Sequence, residues 1–262
     1  MLADEVDDKP ALARALAAAG VLAAWQSDVE AAHASLDRAI DLWQQLDEPL
    51  EEAVAHEALS WAHFTTGDEA KAQREADRAL ELQLALGDPM LINRARFYVC
   101  LVLVSRHELD AAERMANEAL ALGEEQGDAW AQHFAFHYLG DCALIRGDDR
   151  TSEQWYRRSL AAAVAARDHV ESIFELQGVA MASAVRAADR ALQLAGAADA
   201  ELAALAIDIS GVTFWIELLE EKLKRAVDRL GPEAAAAARQ RGARHGFDRL
   251  VEEELNSSDD DA

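Results

Sequence analysis

Two histidines stand four residues apart in "HFAFH", His133 and His137, and Asp141 follows one helical turn later. On a helix this spacing places both imidazoles and the carboxylate on one face. A histidine pair at that distance can hold zinc or nickel. The flanking residues are aromatic, Phe134, Phe136 and Tyr138, and no second ligand pair is read elsewhere in the chain. The stretch is therefore read as groove-lining or partly buried histidines, with metal binding through His133 and His137 kept as an alternative. A second stretch, "HEALSWAH" over 56–63, opens like a metalloprotease helix, which needs histidines four apart with a glutamate beside the first. Here His56 and Glu57 are present, but Ser60 stands where the second histidine would be. The carboxylates at Glu51 and Glu52, Glu124 and Glu125, and Glu252 to Glu254 read as solvated faces. No local Ser, His and Asp set or Cys and His set suggests a nucleophile. No G-x-x-x-x-G-K-[ST] run occurs, so no nucleotide site is expected. The expectation is a protein without catalytic residues, metal or cofactor.

Composition narrows the partners. The chain has 262 residues, 25 Lys and Arg against 49 Asp and Glu, and a formal charge of −24. Such a chain is repelled by nucleic-acid phosphates and anionic lipid unless a basic patch is strongly segregated, and none is read. The N-terminal "MLADEVDDKP" is acidic, and no apolar run reaches membrane-spanning length. Cys100 and Cys142 sit inside apolar runs and read as small core residues of a reducing compartment. A cytoplasmic location is expected, with neither nucleic acid nor membrane as a direct partner.

The elements that would position any site come from an internal repeat. The segments "QSDVEAAHASLDRAIDLWQQLDEP" (26–49), "TGDEAKAQREADRALELQLALGDP" (66–89), "RHELDAAERMANEALALGEEQGDA" (106–129) and "RGDDRTSEQWYRRSLAAAVAARDH" (146–169) recur every 40 residues. Ala32, Ala72, Ala112 and Ser152 form one small column, and Ala39, Ala79, Ala119 and Ser159 a second. Ile40, Leu80, Leu120 and Leu160 form a large column beside it. Asp28, Asp68, Glu108 and Asp148 stand near each helix start, where they suit the positive end of the dipole. Pro49 and Pro89 fit the first turn of the following helix. A more apolar helix precedes each segment, with Gly20, Ser60, Cys100 and Gly140 as its own small column. Each unit is thus a helix hairpin whose small columns admit a close neighbour.

A small residue followed by two alanines, at the eighth, twentieth and twenty-seventh positions of a hairpin, resembles the tetratricopeptide repeat. Gly20, Ala32 and Ala39 match all three positions, and Ser60, Ala72 and Ala79 match with one conservative change. The unit is longer than the usual ~34 residues, and the aromatic position is poorly kept, as Leu16, His56, Arg96 and Phe136. The stretches "ELQGVAMASAVRAADRALQLAGAADA" (175–200) and "RAVDRLGPEAAAAARQRGARHGFDRLVEEEL" (225–255) resemble the end of the helical arm in large LuxR-type and AfsR-type bacterial regulators. In that family a helix ends in Leu-Gly, here Leu230-Gly231. An alanine-rich helix follows, Glu233 to Arg241, then a glycine turn, Gly242 to Gly246, and an acidic amphipathic helix, Phe247 to Leu255. The resemblance implies a regulatory or sensor arm, and both a fragment of a longer regulator and a stand-alone repeat protein are compatible with it.

The expected architecture is all-α: a right-handed solenoid of antiparallel helix hairpins. An acidic segment (1–10) precedes hairpins at 11–49, 50–89, 90–129 and 130–169 and a shortened fifth at 170–196. The pattern loosens over 197–211, with "DISG" (208–211) as a loop. Capping helices complete 197–255, including one over 213–230 with Phe214, Trp215, Ile216, Leu218, Leu219 and Leu223 available for burial. A disordered acidic tail closes the chain at 256–262. In a tetratricopeptide stack the first helix of each hairpin lines the inner groove. That places Trp61, Phe64, Arg94, Phe97, Leu101, Val104, Phe134, His137 and Asp141 on a mostly apolar surface for a protein or peptide segment, or for a neighbouring domain. A small inducer held in the same groove is the alternative.

Overall fold

The computed structural model describes residues 8–257 apart from 208 and 210. Among these residues there are thirteen helices and no strand, so the chain is all-α as expected. A first compact unit spans Met1–Glu108 and a second Leu109–Ala262. The first holds α1 (Lys9–Trp25), α2 (Val29–Leu46), α3 (Pro49–Thr65), α4 (Glu69–Leu86) and α5 (Pro89–Ser105). The second holds α6 (Leu109–Gln126), α7 (Ala129–Arg146), α8 (Asp149–Ala166), α9 (His169–Ser183), α10 (Ala188–Ala204), α11 (Thr213–Leu230), α12 (Pro232–His245) and α13 (Phe247–Ser257).

The helices begin and end to a stricter rule than the 40-residue repeat. Ser27, Asp47, Gly67, Gly87, His107, Gly127, Gly147 and Arg167 all have positive φ, one every 20 residues. The residue after each is Asp or Glu. The left-handed residue turns the chain out of one helix, and the acid opens the next. The side chains of Asp28, Asp68, Asp88, Asp128, Asp148 and Asp168 accept from the main-chain N–H three residues on, at Ala31, Lys71, Leu91, Ala131, Thr151 and Glu171. Each such cap contributes about 1 kcal/mol. The acids are therefore specific N-caps as well as charges near a dipole. The rule lapses at Ala187, which opens α10 with no side-chain cap.

Small residues decide how the helices pack. Ala32, Ala39, Ala72, Ala79, Ala112, Ser152 and Ser159 are completely buried, and Ser60 and Cys100 nearly so. Ser60 Oγ donates to the Ala72 carbonyl at 2.9 Å, linking the small columns of α3 and α4. Ser159 Oγ does the same to the His133 carbonyl at 2.9 Å, linking α8 to α7. A Cβ on Gly20 would overlap the Leu36 side chain. Tyr156, itself completely buried, lays its ring against both Gly140 of α7 and Gly178 of α9. Ile40 and Leu160 of the large column are buried, while Leu80 and Leu120 are only partly covered.

The C-terminal part departs from the sequence reading in three places. The fifth hairpin is not shortened at 196, because α10 continues to Ala204. The run Ala195 to Ala198 lacks large residues, yet it is buried helix because Gly196 faces the Arg239 main chain of α12. Gly242 likewise belongs to α12, not to a turn, and meets the Gln193 carbonyl of α10. The turn itself sits at Gly246, with φ 93°. Finally, Glu254 is no solvated residue. It is buried and paired with Arg157 at 2.7 Å and Arg190 at 2.8 Å, which fastens α13 to α8 and α10. Trp215, Leu218 and Leu223 of α11 are buried as expected, with Phe214 and Leu219 packed against the same core. Asn256 and Ser257 belong to α13. The rest of the expected tail, 258–262, residues 1–7 of the N-terminal segment, and Asp208 and Ser210 of "DISG" lie outside the described residues.

Replacement of Gly242 by alanine sets a Cβ against a main-chain carbonyl that cannot rotate away. Gly242→Ala is expected to lower stability by about 3 kcal/mol, the upper end for overpacking. Gly20→Ala, whose closest contacts are Leu36 side-chain atoms rather than main chain, should cost less. Urea unfolding followed by far-UV circular dichroism checks both, and a wild-type midpoint for Gly242→Ala would refute the close approach.

Candidate functional sites

In the first unit, α1, α3 and α5 enclose a cleft of about 180 Å³ lined by Val21, Trp25, Glu57, Trp61, Arg94 and Tyr98. Trp25 is 65% exposed although it is among the largest apolar residues of the chain. Its ring lies 5.2 Å from that of Trp61, tilted by 40°, and Trp61 lies 6.0 Å from Phe64. Leu22, one turn before Trp25, is exposed as well. The polar side of the cleft is an ion pair, with Arg94 Nε 2.9 Å from Glu57 Oε2. Burial raises the Glu57 carboxyl above its usual range, against the pull of Arg94. Burial and the adjacent Glu57 charge push the Tyr98 phenol up to about 12. Glu57 Oε1 and Arg94 Nη2 are buried without a hydrogen-bond partner, so the guanidinium keeps donor capacity that the protein does not use.

The second unit carries a buried polar cluster where α7, α8, α9 and α11 meet. His133 Nε2 lies 3.1 Å and His137 Nδ1 2.8 Å from the same oxygen, Glu175 Oε1. The other side of the His137 ring faces Asp141 Oδ2 at 3.5 Å. Tyr156 donates its hydroxyl to Asp141 Oδ1 at 2.5 Å. Trp215 stacks on His137 with ring centroids 5.3 Å apart and donates its indole N–H to Gln177 Oε1 at 2.7 Å. Burial alone would pull the His137 imidazolium down, but the Glu175 and Asp141 charges overcome it and raise the group to about 10. Burial opposes ionisation of Glu175, yet His137 and His133 hold it down to about 2. Asp141 is raised by burial to about 6 despite His137. Glu171 is raised to about 7, by burial and then by the Glu175 charge. Among the described residues, His133, Glu171 and Glu175 bring ligand atoms within 4.8 Å of one another. The same unit has a more open cleft of about 440 Å³ where α13 meets α8 and α9, bordered by Val164, His169, Phe247 and Val251.

With this geometry in hand, the chain can be set beside known proteins. No protein-family model matches it, and no curated protein matches it. Among solved structures it is similar to a Rap protein crystallised in complex with competence and sporulation factor. The two share 17% sequence identity and a TM-score of 0.58 over 91% of this chain and 74% of that one. That likeness is one of fold, and it supports a tetratricopeptide-like helical repeat.

The nine expected groove residues do not all share one surface. Trp61 and Arg94 line the first-unit cleft. Phe97, partly buried, stands edge-on to Tyr98 at 5.0 Å, and Leu101 is also partly buried. Phe64 and Val104 are buried, because apolar side chains near the ends of α3 and α5 have neighbouring helices to pack on. In the second unit Phe134 packs on Trp130 at 4.5 Å, and Asp141 is buried. His137 lies under Trp215, so α11 covers this residue. "HEALSWAH" does not converge either. His56 Nδ1 turns to Glu75 at 2.6 Å, Glu57 to Arg94, and Ser60 to the Ala72 carbonyl. Sequence reasoning missed Trp25 and Tyr98, and it missed Glu171, Glu175 and Tyr156; Glu57 and Trp215 it named without these partners. The available signal was the pair Glu171 and Glu175, spaced like His133 and His137 on the next inner helix.

A histidine contact in the first unit makes a pH prediction. His33 Nε2 and His63 Nε2 are 2.8 Å apart, which requires at least one neutral ring, and His33 Nδ1 also faces Asp37 at 3.1 Å. The buried His63 is lowered from its usual value, first by burial, then by His33 and Lys71, against Asp68 and Glu75. The unfolded chain therefore binds the proton more readily. The stability from neutral His63 is complete above the ordinary histidine value of about 6.5 and is lost as pH falls through the folded value. His63→Gln should flatten the fall in unfolding midpoint between about pH 7.5 and about pH 5. A thermal-melt series in which both proteins fall equally would refute this.

Proposed function

We propose that this chain is a non-enzymatic, tetratricopeptide-like binding module that captures a segment of a partner protein or of a neighbouring domain. The observation that carries this reading is the cleft between Trp25, Trp61 and Arg94. It combines an exposed aromatic pair with a guanidinium that has an unused donor. An apolar side chain of the partner would enter between the tryptophans, and an adjacent main-chain carbonyl or carboxylate would accept from Arg94. Tryptophan and arginine in one depression are the residues that most often dominate binding energy. A volume of about 180 Å³ suits one side chain, and is below the ~300–1,000 Å³ usual for small-molecule pockets. This favours a partner segment over a small inducer as occupant of that cleft.

The similar Rap protein was crystallised with a bound factor, which supports a binding role for the present fold. The resemblance to LuxR-type and AfsR-type arms supports the finer proposal of a regulatory arm in bacterial transcriptional control and signal transduction, acting on a partner and not on nucleic acid directly. No described helix is long and apolar enough to cross a membrane. A cytoplasmic location is part of the proposal, in keeping with Cys100 and Cys142, which are buried as thiols.

The test is selection from a displayed library of random peptides, followed by titration of the enriched peptides against wild type and Trp61→Ala/Arg94→Gln. Affinity should fall at least ~10-fold in the double variant, with the helical circular dichroism signal unchanged. Equal affinity of the two proteins for every enriched peptide would remove the cleft from the function.

A further inference from the structure

We infer that the second unit contains a binding site for a divalent transition-metal ion, built from His133, Glu171 and Glu175. The sequence arranges two matched pairs. His133 and His137 sit at i, i+4 on α7, and Glu171 and Glu175 sit at i, i+4 on α9. Both helices pack on α8 and on each other, so the two pairs face one another from adjacent inner helices. Facing histidine and glutamate pairs of this kind are how helical proteins build metal centres between their helices.

The geometry suits an ion. One nitrogen and two carboxylate oxygens, from His133, Glu171 and Glu175, lie within 4.8 Å of one another. His133 Nε2 and Glu175 Oε1 are already 3.1 Å apart. An ion bonded at ~2.0–2.2 Å to each ligand holds them at a comparable separation, so only small side-chain movements are needed. Glu175 is completely buried, and its Oε2 has no hydrogen-bond partner. A buried carboxylate oxygen without a donor is costly, and a cation at this point satisfies it. Glu171 is only partly buried and gives the site its opening toward solvent.

The surroundings resemble the outer shell of such centres. His137 contacts Glu175 Oε1 through Nδ1, Asp141 faces the far side of that ring, and Tyr156 donates to Asp141. A ligating carboxylate held from behind by such a chain is oriented before the ion arrives. One imidazole nitrogen, two carboxylates and no thiolate match a borderline ion such as zinc, manganese or ferrous iron, and match magnesium or calcium poorly. Three protein ligands leave a coordination position open.

The test uses the full chain, stripped with a chelator and titrated calorimetrically with zinc chloride and, separately, with magnesium chloride. The expected result is one zinc per chain and no comparable magnesium binding. Glu171→Gln and His133→Gln should each weaken zinc binding by at least the ~10–100-fold that loss of a mere outer-shell partner costs. His169→Gln, a histidine outside the cluster, should bind as wild type does. Glu171 is partly exposed and makes no buried ion pair, so its variant reports on the site without endangering the fold, which circular dichroism verifies. Absence of zinc binding by wild type, or equal zinc binding by wild type and Glu171→Gln, overturns the site.

Discussion

Two helices of a hairpin can approach closely only where one of them carries almost no side chain. That constraint governs this molecule. Gly20 receives Leu36, Ser60 touches the Ala72 carbonyl, and Gly140 and Gly178 both lie against the Tyr156 ring. Larger residues in these columns would push the helices apart and leave voids that cost both dispersion contacts and apolar burial. The caps then fix where each helix begins. With a left-handed residue and an acid every 20 residues, the small columns fall at the same depth in successive helices. Packing and capping thus specify one register between them.

The polar clusters exist because that register is so well determined. Tyr156 spans Gly140 and Gly178, and in doing so sets the distance between α7 and α9 at the level of His137 and Glu175. Its hydroxyl then reaches Asp141. A buried charge is tolerable only with close partners, and the partners here come from three helices whose spacing a single ring controls. The first unit solves a similar problem at Glu57 and Arg94 less completely. An oxygen and a nitrogen remain unpaired beside two tryptophans. Both places have polar capacity left over, one toward a cation and one toward an acceptor.

Much of this was legible in the sequence. The 40-residue columns, the hairpins and the burial of Ala32, Ala72 and Ala112 followed from residue size and spacing. What escaped has physical reasons. The alanine and glycine run near Gly196 carries no amphipathic signal, because a helix buried on several sides shows no polar face. Glu254 looks solvated in a run of acids, and only the fold brings Arg157 and Arg190 to it. The partner of the His133 and His137 pair was missed because Glu171 and Glu175 are ordinary helix-surface residues by composition. The burial of Glu175 depends on the approach of α7 to α9, which no local pattern encodes. Trp61 and Arg94, both named from the sequence, line one cleft of the first unit. Trp25 escaped because its column, read from the other repeats, holds no tryptophan.

The meeting of Gly196 with Arg239 and of Gly242 with Gln193 has a meaning beyond local packing. The last hairpin of a helical array needs a cap over its apolar seam. Here α12 meets α10 at main-chain level at Gly196 and Gly242. An incoming molecule would have to displace it before docking. The α10 seam is therefore closed by this chain's own α12, and the absence of two methyl groups is what lets the two helices meet.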